Sequence, residues 1–317
     1  MEIGFIGAGT VAGIHLDTLR EQDRATVAAV CDVDGERAEA VAAEHGATAY
    51  TDDARMLDGE SLDAVLLCVP PFAHDGQERR VLESGADLFV EKPVALDAAA
   101  ARDVAETVAT HDAVVHVGYA FRDAPVVEFV RERLSPDDVS HVVGRYAIPE
   151  PPDAPWWADR DRSGGQLVEQ STHVFDTLRY LFGDVTWVGG VGSRRHRRTL
   201  TFEDTTAVAL RHDTGVVATV TSSTAADETD VSIHVSGPAV ELTVDLLDGE
   251  IAGTLDDERV DRTPDESHFT AELERFLDAV AAGDPDAVRC PYAEGVATLE
   301  LTLDATEAVE TGTPVVR

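Results

Sequence analysis

The sequence predicts an α/β chain that opens on a doubly wound parallel sheet, and three observations carry that expectation. Short continuous apolar runs alternate with stretches of helical spacing, a glycine-rich turn joins the first run to the first helix, and Asp32 closes the second run. The runs fall at 3–6, 25–31, 64–69, 88–90 and 113–117, and the helical stretches at 11–20, 35–44, 74–84 and 98–110. Strands that lack polar alternation belong to a sheet covered on both faces, as helices crossing between parallel strands would leave it.

The first turn reads Gly7-Ala8-Gly9-Thr10-Val11-Ala12. Gly7 permits a tight turn, Gly9 lets the backbone approach a pyrophosphate, and Ala12 lets the helix pack closely on the strand, with the helix N-terminus facing the phosphates. Asp32 follows about twenty residues later, where a carboxylate can accept both ribose hydroxyls of NAD and would repel the 2′-phosphate of NADP. Val33 and Asp34 add no compensating arginine, so NAD is the expected cofactor, with NADP as the alternative. The run at 64–69 ends in Val69-Pro70-Pro71-Phe72-Ala73-His74, a rigid turn expected at the carboxyl edge of the sheet, with His74 opening the next helix.

The run at 88–90 leads into Glu91-Lys92-Pro93, and Lys92 is the one lysine among 25 cationic side chains. Arginine replaces lysine on a solvated surface but does not release a proton, whereas a buried lysine can. Further on, 206–210, 215–222, 231–236 and 240–244 have strand composition with turns between them, and 269–282 has the spacing of an amphipathic helix.

Sixty-one acidic residues give a formal charge of −36, spread along the chain. Such a surface excludes nucleic acid and anionic membranes as partners and fits concentrated salt, where a Debye length of roughly 3 Å screens self-repulsion. Cys31, Cys68 and Cys290 form no CxxC pair and leave an odd thiol, which argues against a disulfide framework or a cysteine-rich zinc site. No stretch approaches eighteen apolar residues and no basic segment precedes the first strand, so a soluble, cytoplasmic protein is expected.

These motifs resemble the Gfo/Idh/MocA family of nicotinamide-dependent oxidoreductases. The resemblance rests on the Gly7–Ala12 turn, the proline turn with His74, Glu91-Lys92-Pro93, Gly118-Tyr119-Ala120-Phe121-Arg122, and the segment from Gly164-Gly165 through Glu169 and His173 to Asp176. It continues through Glu203-Asp204-Thr205 and 272–277 to the end of the chain. It implies a Rossmann domain over 1–118 and, over 119–317, an α+β domain with a large, mostly antiparallel sheet whose open face commonly joins subunits. The final helices are left open to pack back on the first domain. A homo-oligomer is therefore expected, acting on a sugar, sugar derivative or inositol-like polyol. By the same resemblance Lys92 and His173 are the catalytic pair, with His173 the proton acceptor and Lys92 holding the substrate oxygen, and Glu91 lies near the cofactor ribose. Gly7, Ala8, Gly9, Thr10, Val11, Asp32, Val69, Pro70, His74, Glu91 and Lys92 form the expected cofactor set.

Oxidising a secondary alcohol requires a base at its hydroxyl while hydride leaves the same carbon, and Lys92 or His173 can serve. Glu169 and His173 stand four apart, which on one helix places both on one face, so Glu169 can orient the imidazole or contact substrate. Relatives often carry Asp there, and the longer Glu puts an exact transfer of role in doubt. The same spacing suits a metal, but no third ligand is evident and none is expected. Tyr119, Arg122, Trp156, Trp157 and Gln170 are the remaining expected substrate contacts, the tryptophans on a proline-rich loop where either could instead anchor that loop. Arg194, Arg195, Arg197 and Arg198 form the dense cationic cluster, read first as a contact to a second subunit. Two rival activities stay open: a redox-neutral NAD-dependent glycoside hydrolase and a non-catalytic dinucleotide sensor.

Overall fold

The computed structural model describes residues 1–263 and 267–317. The chain forms two compact units, Met1–Ala120 with Phe269–Val296, and Phe121–His268 with Ala297–Arg317.

The first unit runs β1 (Glu2–Ile6), α1 (Thr10–Arg20), β2 (Thr26–Cys31), α2 (Gly35–His45), β3 (Thr48–Tyr50), α3 (Asp53–Gly59), β4 (Ala64–Leu67), α4 (Gln77–Ser84), β5 (Asp87–Val90), α5 (Ala98–Val108) and β6 (Val115–Val117). All six strands are parallel, in the order β3-β2-β1-β4-β5-β6, so the direction of winding reverses between β1 and β4. A crevice opens at the carboxyl ends of the strands at such a reversal. Two elements of this unit are absent from the sequence reading. The strand β3 is three residues long, and α3 buries only Met56, too little in either case to leave a periodic signal. The fourth helix also begins later than His74, at Gln77, because Gly76 takes a left-handed conformation (φ 78°) directly before it. Ile3, Phe5, Leu66 and Phe89 are fully buried in the core of this sheet.

The second unit contains α6 (Pro125–Arg133), β7 (His141–Ala147), α7 (Arg160–Ser163), α8 (Gln166–Glu169), α9 (Thr172–Phe182), β8 (Val185–Ser193), β9 (Thr205–His212), β10 (Val217–Ser223), β11 (Asp230–Gly237), β12 (Val240–Asp245), β13 (Ile251–Leu255) and β14 (Glu258–Arg262). After α10 (His268–Ala282) and α11 (Tyr292–Thr311) comes the short β15 (Val315–Val316). The nine-stranded sheet has the order β14-β13-β12-β11-β7-β10-β9-β8-β15, with only β7 and β10 paired in parallel. Burial alternates along its strands: Val208 and Leu210 of β9 and Ala218 and Val220 of β10 face inward, while Thr205, Ala207, Thr219 and Thr221 face outward. Val174, Phe175 and Leu178 of α9 cover the inner face. At about 1.5–3 kcal/mol per fully buried large apolar side chain, this contact is a main source of stability in the unit. It is close: a Cβ at Gly144 of β7 would lie 2.5 Å from Val174. Leu301 and Ala305 of α11 join this core, whereas Leu273, Phe276 and Leu277 of α10 belong to the core of the first unit.

Candidate active site

In the first unit the site grows from the ends of β1 and β4. Gly7 leaves β1 with φ 92°, and a Cβ there would sit 2.5 Å from the Cys68 carbonyl oxygen, so both the turn and the approach of the neighbouring strand require glycine. Gly9 is different, because a Cβ there meets no protein atom within 4 Å. Packing does not explain that glycine, whereas room for a ligand's phosphates does. Gly9 caps α1, whose first turn carries no acidic residue, and Thr10 and Val11 are exposed beside it. The residues present therefore fit a dinucleotide.

Asp32 is buried and fixed. Its Oδ2 accepts the Ala8 N–H at 2.8 Å and its Oδ1 the Asp34 N–H at 2.9 Å. Arg37, on the first turn of α2, reaches Oδ2 at 3.5 Å, a cation that a reading limited to Val33 and Asp34 did not include. After β4, Val69 and Pro70 are half-buried, and Pro71–Ala73 forms a single 3-10 turn. His74 ends that turn, its Nδ1 2.5 Å from Oε1 of the buried Glu78. Burial, then the charges of Glu91 and Glu272, push the Cys68 thiol well above its ordinary range.

Glu91 and Lys92 follow β5 directly. Lys92 is half-buried, while the Glu91 carboxylate turns inward: Oε1 accepts from Nε2 of the fully buried His15 at 2.8 Å, and Oε2 accepts the Lys92 N–H at 3.2 Å. The Glu91 carboxylate, expected near the cofactor ribose, is thus also held by protein groups. Tyr119 is also buried. His15 escaped the sequence reading, although it shares the buried stripe of α1 with Ala12, Leu16 and Leu19, and a histidine in an apolar stripe signals a partner.

In the second unit the double glycine sets the geometry. Gly164 (φ 76°) ends α7 and Gly165 (φ 82°) begins α8. Glu169 and His173 do not share a continuous helix as the spacing suggested. Glu169 ends α8, His173 lies in α9, and at the joint Gln170 and Ser171 both donate backbone N–H groups to the Gln166 carbonyl. Glu169 Oε2 accepts the Trp157 indole N–H at 2.6 Å. Trp157 is buried against Phe202 at 5.1 Å between ring centres, which makes it the anchor of its loop; Trp156 remains half-buried. The half-buried His173 ring lies 5.3 Å from the Phe121 ring, and Gln170 is buried.

Arg122, expected at the substrate, is buried in an ion pair. Its Nε and a terminal nitrogen donate to both oxygens of Asp176 at 2.8 Å, and both residues are buried. Asp176 also accepts the Thr298 hydroxyl at 2.8 Å, which in turn accepts from Arg179 at 2.9 Å. In the arginine-rich loop, Arg195, His196 and Arg197 direct their backbone N–H groups at one oxygen of Asp204. Burial would raise the Asp204 carboxyl, but these donors hold it below its ordinary value, while the Arg194, Arg195 and Arg198 side chains stay exposed.

Comparison with known proteins agrees with this construction. The family model described as an oxidoreductase family with an NAD-binding Rossmann fold matches residues 1–119, and the GFO/IDH/MocA C-terminal domain model matches 137–242. The chain is 30% identical over 184 residues to inositol 2-dehydrogenase of Rhizobium meliloti (strain 1021), spanning 58% of this chain and only 56% of that enzyme. It is 28% identical over 306 residues to myo-inositol 2-dehydrogenase of Thermotoga maritima, covering 91% of this chain and 90% of the relative. The solved structure of the WlbA dehydrogenase from Bordetella pertussis, in complex with NADH and UDP-GlcNAcA, shares the fold with a TM-score of 0.85 at 20% identity, covering 100% of this chain and 98% of that one. The glycine turn with its fixed Asp32, the Glu91-Lys92 step after β5 and the matches to both domain models lead to one assignment: the chain belongs to the Gfo/Idh/MocA oxidoreductase family and carries its NAD-binding Rossmann domain.

Proposed function

We propose that this protein is an NAD-dependent dehydrogenase that oxidises a secondary hydroxyl of a sugar, sugar derivative or inositol-like polyol. The observation that carries the reading is the position of its single lysine, one residue beyond Glu91 at the carboxyl end of β5, on the edge of the sheet where a dinucleotide crevice opens. The inositol dehydrogenases among its relatives support the substrate class.

Bound NAD supplies the acceptor for hydride at nicotinamide C4. With the cofactor bound, His173 would take the hydroxyl proton and Lys92 would polarise the substrate oxygen, so that a secondary alcohol would give up a hydride to the cofactor and a proton to His173 and leave as the ketone. The Gly7–Val11 turn binds the pyrophosphate, with Asp32 at the adenosine ribose and Val69, Pro70 and His74 along the cofactor edge. Trp156 and Gln170 meet the substrate on the second unit, one through an aromatic face and one through an amide. Glu169, already holding Trp157, fixes that loop beside them.

The test is a panel of aldoses, sugar acids and inositols with NAD and with NADP in molar salt, followed by the absorbance of reduced cofactor. A signal is expected with one class and NAD, falling at least ~100-fold in Lys92→Ala. Tight NAD binding with no net NADH on any member would move the assignment to a redox-neutral hydrolase or a sensor. Preference for NADP would instead assign Arg37, which stands 3.5 Å from Asp32, to the 2′-phosphate.

Two further properties belong to this reading. The acidic surface adapts a cytoplasmic protein to concentrated salt, and a melting temperature equal in dilute buffer and in molar salt would refute that. The outer face of the nine-stranded sheet, with exposed Ala207, Thr219, Thr221 and Thr243, joins a second copy of the chain.

A further inference from the structure

The geometry points to His15 as a positioning residue for Lys92, acting through Glu91. This rests on the role of Lys92 proposed above. His15 is fully buried on α1, walled by the Phe89 ring at 4.9 Å and the Phe269 ring at 6.4 Å. Its Nε2 donates to Glu91 Oε1 at 2.8 Å, while its buried Nδ1 has no hydrogen-bond partner among the described residues. The imidazole therefore has one polar task, and its surroundings leave it no other.

The carboxylate it holds is constrained on two further sides. Glu91 Oε2 accepts the backbone N–H of Lys92 at 3.2 Å. At Gly118, whose own N–H donates to the Val90 carbonyl at 2.9 Å, a Cβ would come within 3.0 Å of the Glu91 carboxyl group. Glu91 thus spans from α1 to the backbone of the next residue. A buried carboxylate oxygen stripped of its donor must find another or stay uncompensated, and either response turns the peptide that carries Lys92. Because α1 begins at the Gly7–Ala12 turn, one helix both faces the dinucleotide phosphates and fixes the segment bearing the lysine.

The single lysine makes this measurable without substrate. Reductive methylation with ¹³C-formaldehyde labels Lys92 and the Met1 amine, the latter bonded to the Arg24 carbonyl and serving as internal reference. In His15→Leu the Lys92 methyl resonance should shift and broaden while the Met1 signal holds. In His15→Gln, whose amide nitrogen reaches the place of the ring Nε2, it should stay as in the unmodified sequence. Should the leucine variant not fold, His15→Asn, with an amide too short to reach Glu91, takes its place. On the polyol that the panel identifies, kcat should fall about 10- to 100-fold in the leucine or asparagine variant with the KM for NAD changed less than about 3-fold, and glutamine should restore it. An unmoved Lys92 resonance in the leucine variant, or in the asparagine variant where that replaces it, or a glutamine variant as impaired as either, overturns the inference. If no polyol is oxidised at all, the functional reading fails on its own, and the resonance still decides the role of His15.

Discussion

The two units fix their functional side chains by different means. In the first, Asp32 is held by the backbone N–H groups of Ala8 and Asp34, and Glu91 by that of Lys92 with one long-range partner, the His15 ring 76 residues away, so the motif takes most of its support from its own turns and adjoining strands. In the second, Arg122 is held by Asp176 54 residues away, Arg179 by Asp184 nearby and by Thr298 119 residues away, and the loop residue Trp157 by Glu169 of α8. Backbone support follows from a strand-turn-helix pattern whatever the neighbouring side chains are. Side-chain support exists only once the whole unit has packed. The first arrangement suits a cofactor of fixed shape, and the second leaves freedom to vary the substrate by changing a few side chains.

The sharpest way to break this contrast is to remove one partner of the buried pair. Arg122→Leu should destabilise the second unit by about 3–5 kcal/mol, because Asp176 is left charged and buried with only Thr298 as donor. Joining it to Asp176→Leu should recover most of that loss, since two apolar groups leave no uncompensated charge. Urea unfolding of both variants measures it. A single variant within about 1 kcal/mol of the parent would show that the network positions side chains without anchoring the fold.

The same contrast explains how far the sequence could be read. The glycine turn, Asp32 and the alternation of β1, α1, β2 and α2 were legible because each is a local pattern with a local cause. For β7 and β8 the reading lacked a pattern: β7 mixes inward Val142 and Gly144 with half-buried Val143, and β8 carries Gly189, Gly190 and Gly192, so strand composition is diluted. The partner of Arg122 was not legible, for a physical reason. An arginine beside a motif looks available until its partner is known, and Asp176 gave no local sign of being that partner. Glu169 and His173 kept the expected spacing but not the expected helix, because the chain breaks at Gln170 and Ser171, and neither residue forbids helix. His15 lay in plain view on an apolar stripe, and what it lacked was the identity of Glu91 as its acceptor.

The sheets carry the comparison one step further, to a change that should barely affect folding. The parallel sheet is covered on both faces, and Val65, Leu66 and Leu67 of β4 are all buried. The nine-stranded sheet shows its outer face, where Thr219 of β10 stands level with Ala209 of β9 and Val143 of β7. A substitution at an exposed site changes stability by no more than about 0.5 kcal/mol, so Thr219→Glu should melt within a degree or two of the parent when each is monomeric. If that face joins two copies, a carboxylate at Thr219 would be stripped of water among the apolar and hydroxyl side chains of the facing sheet, and it should shift the mass seen by sedimentation from oligomer toward monomer. Equal masses for parent and variant would remove the sheet from consideration as the interface and leave the exposed arginine-rich loop, Arg194 to Arg198, as the surface to test next.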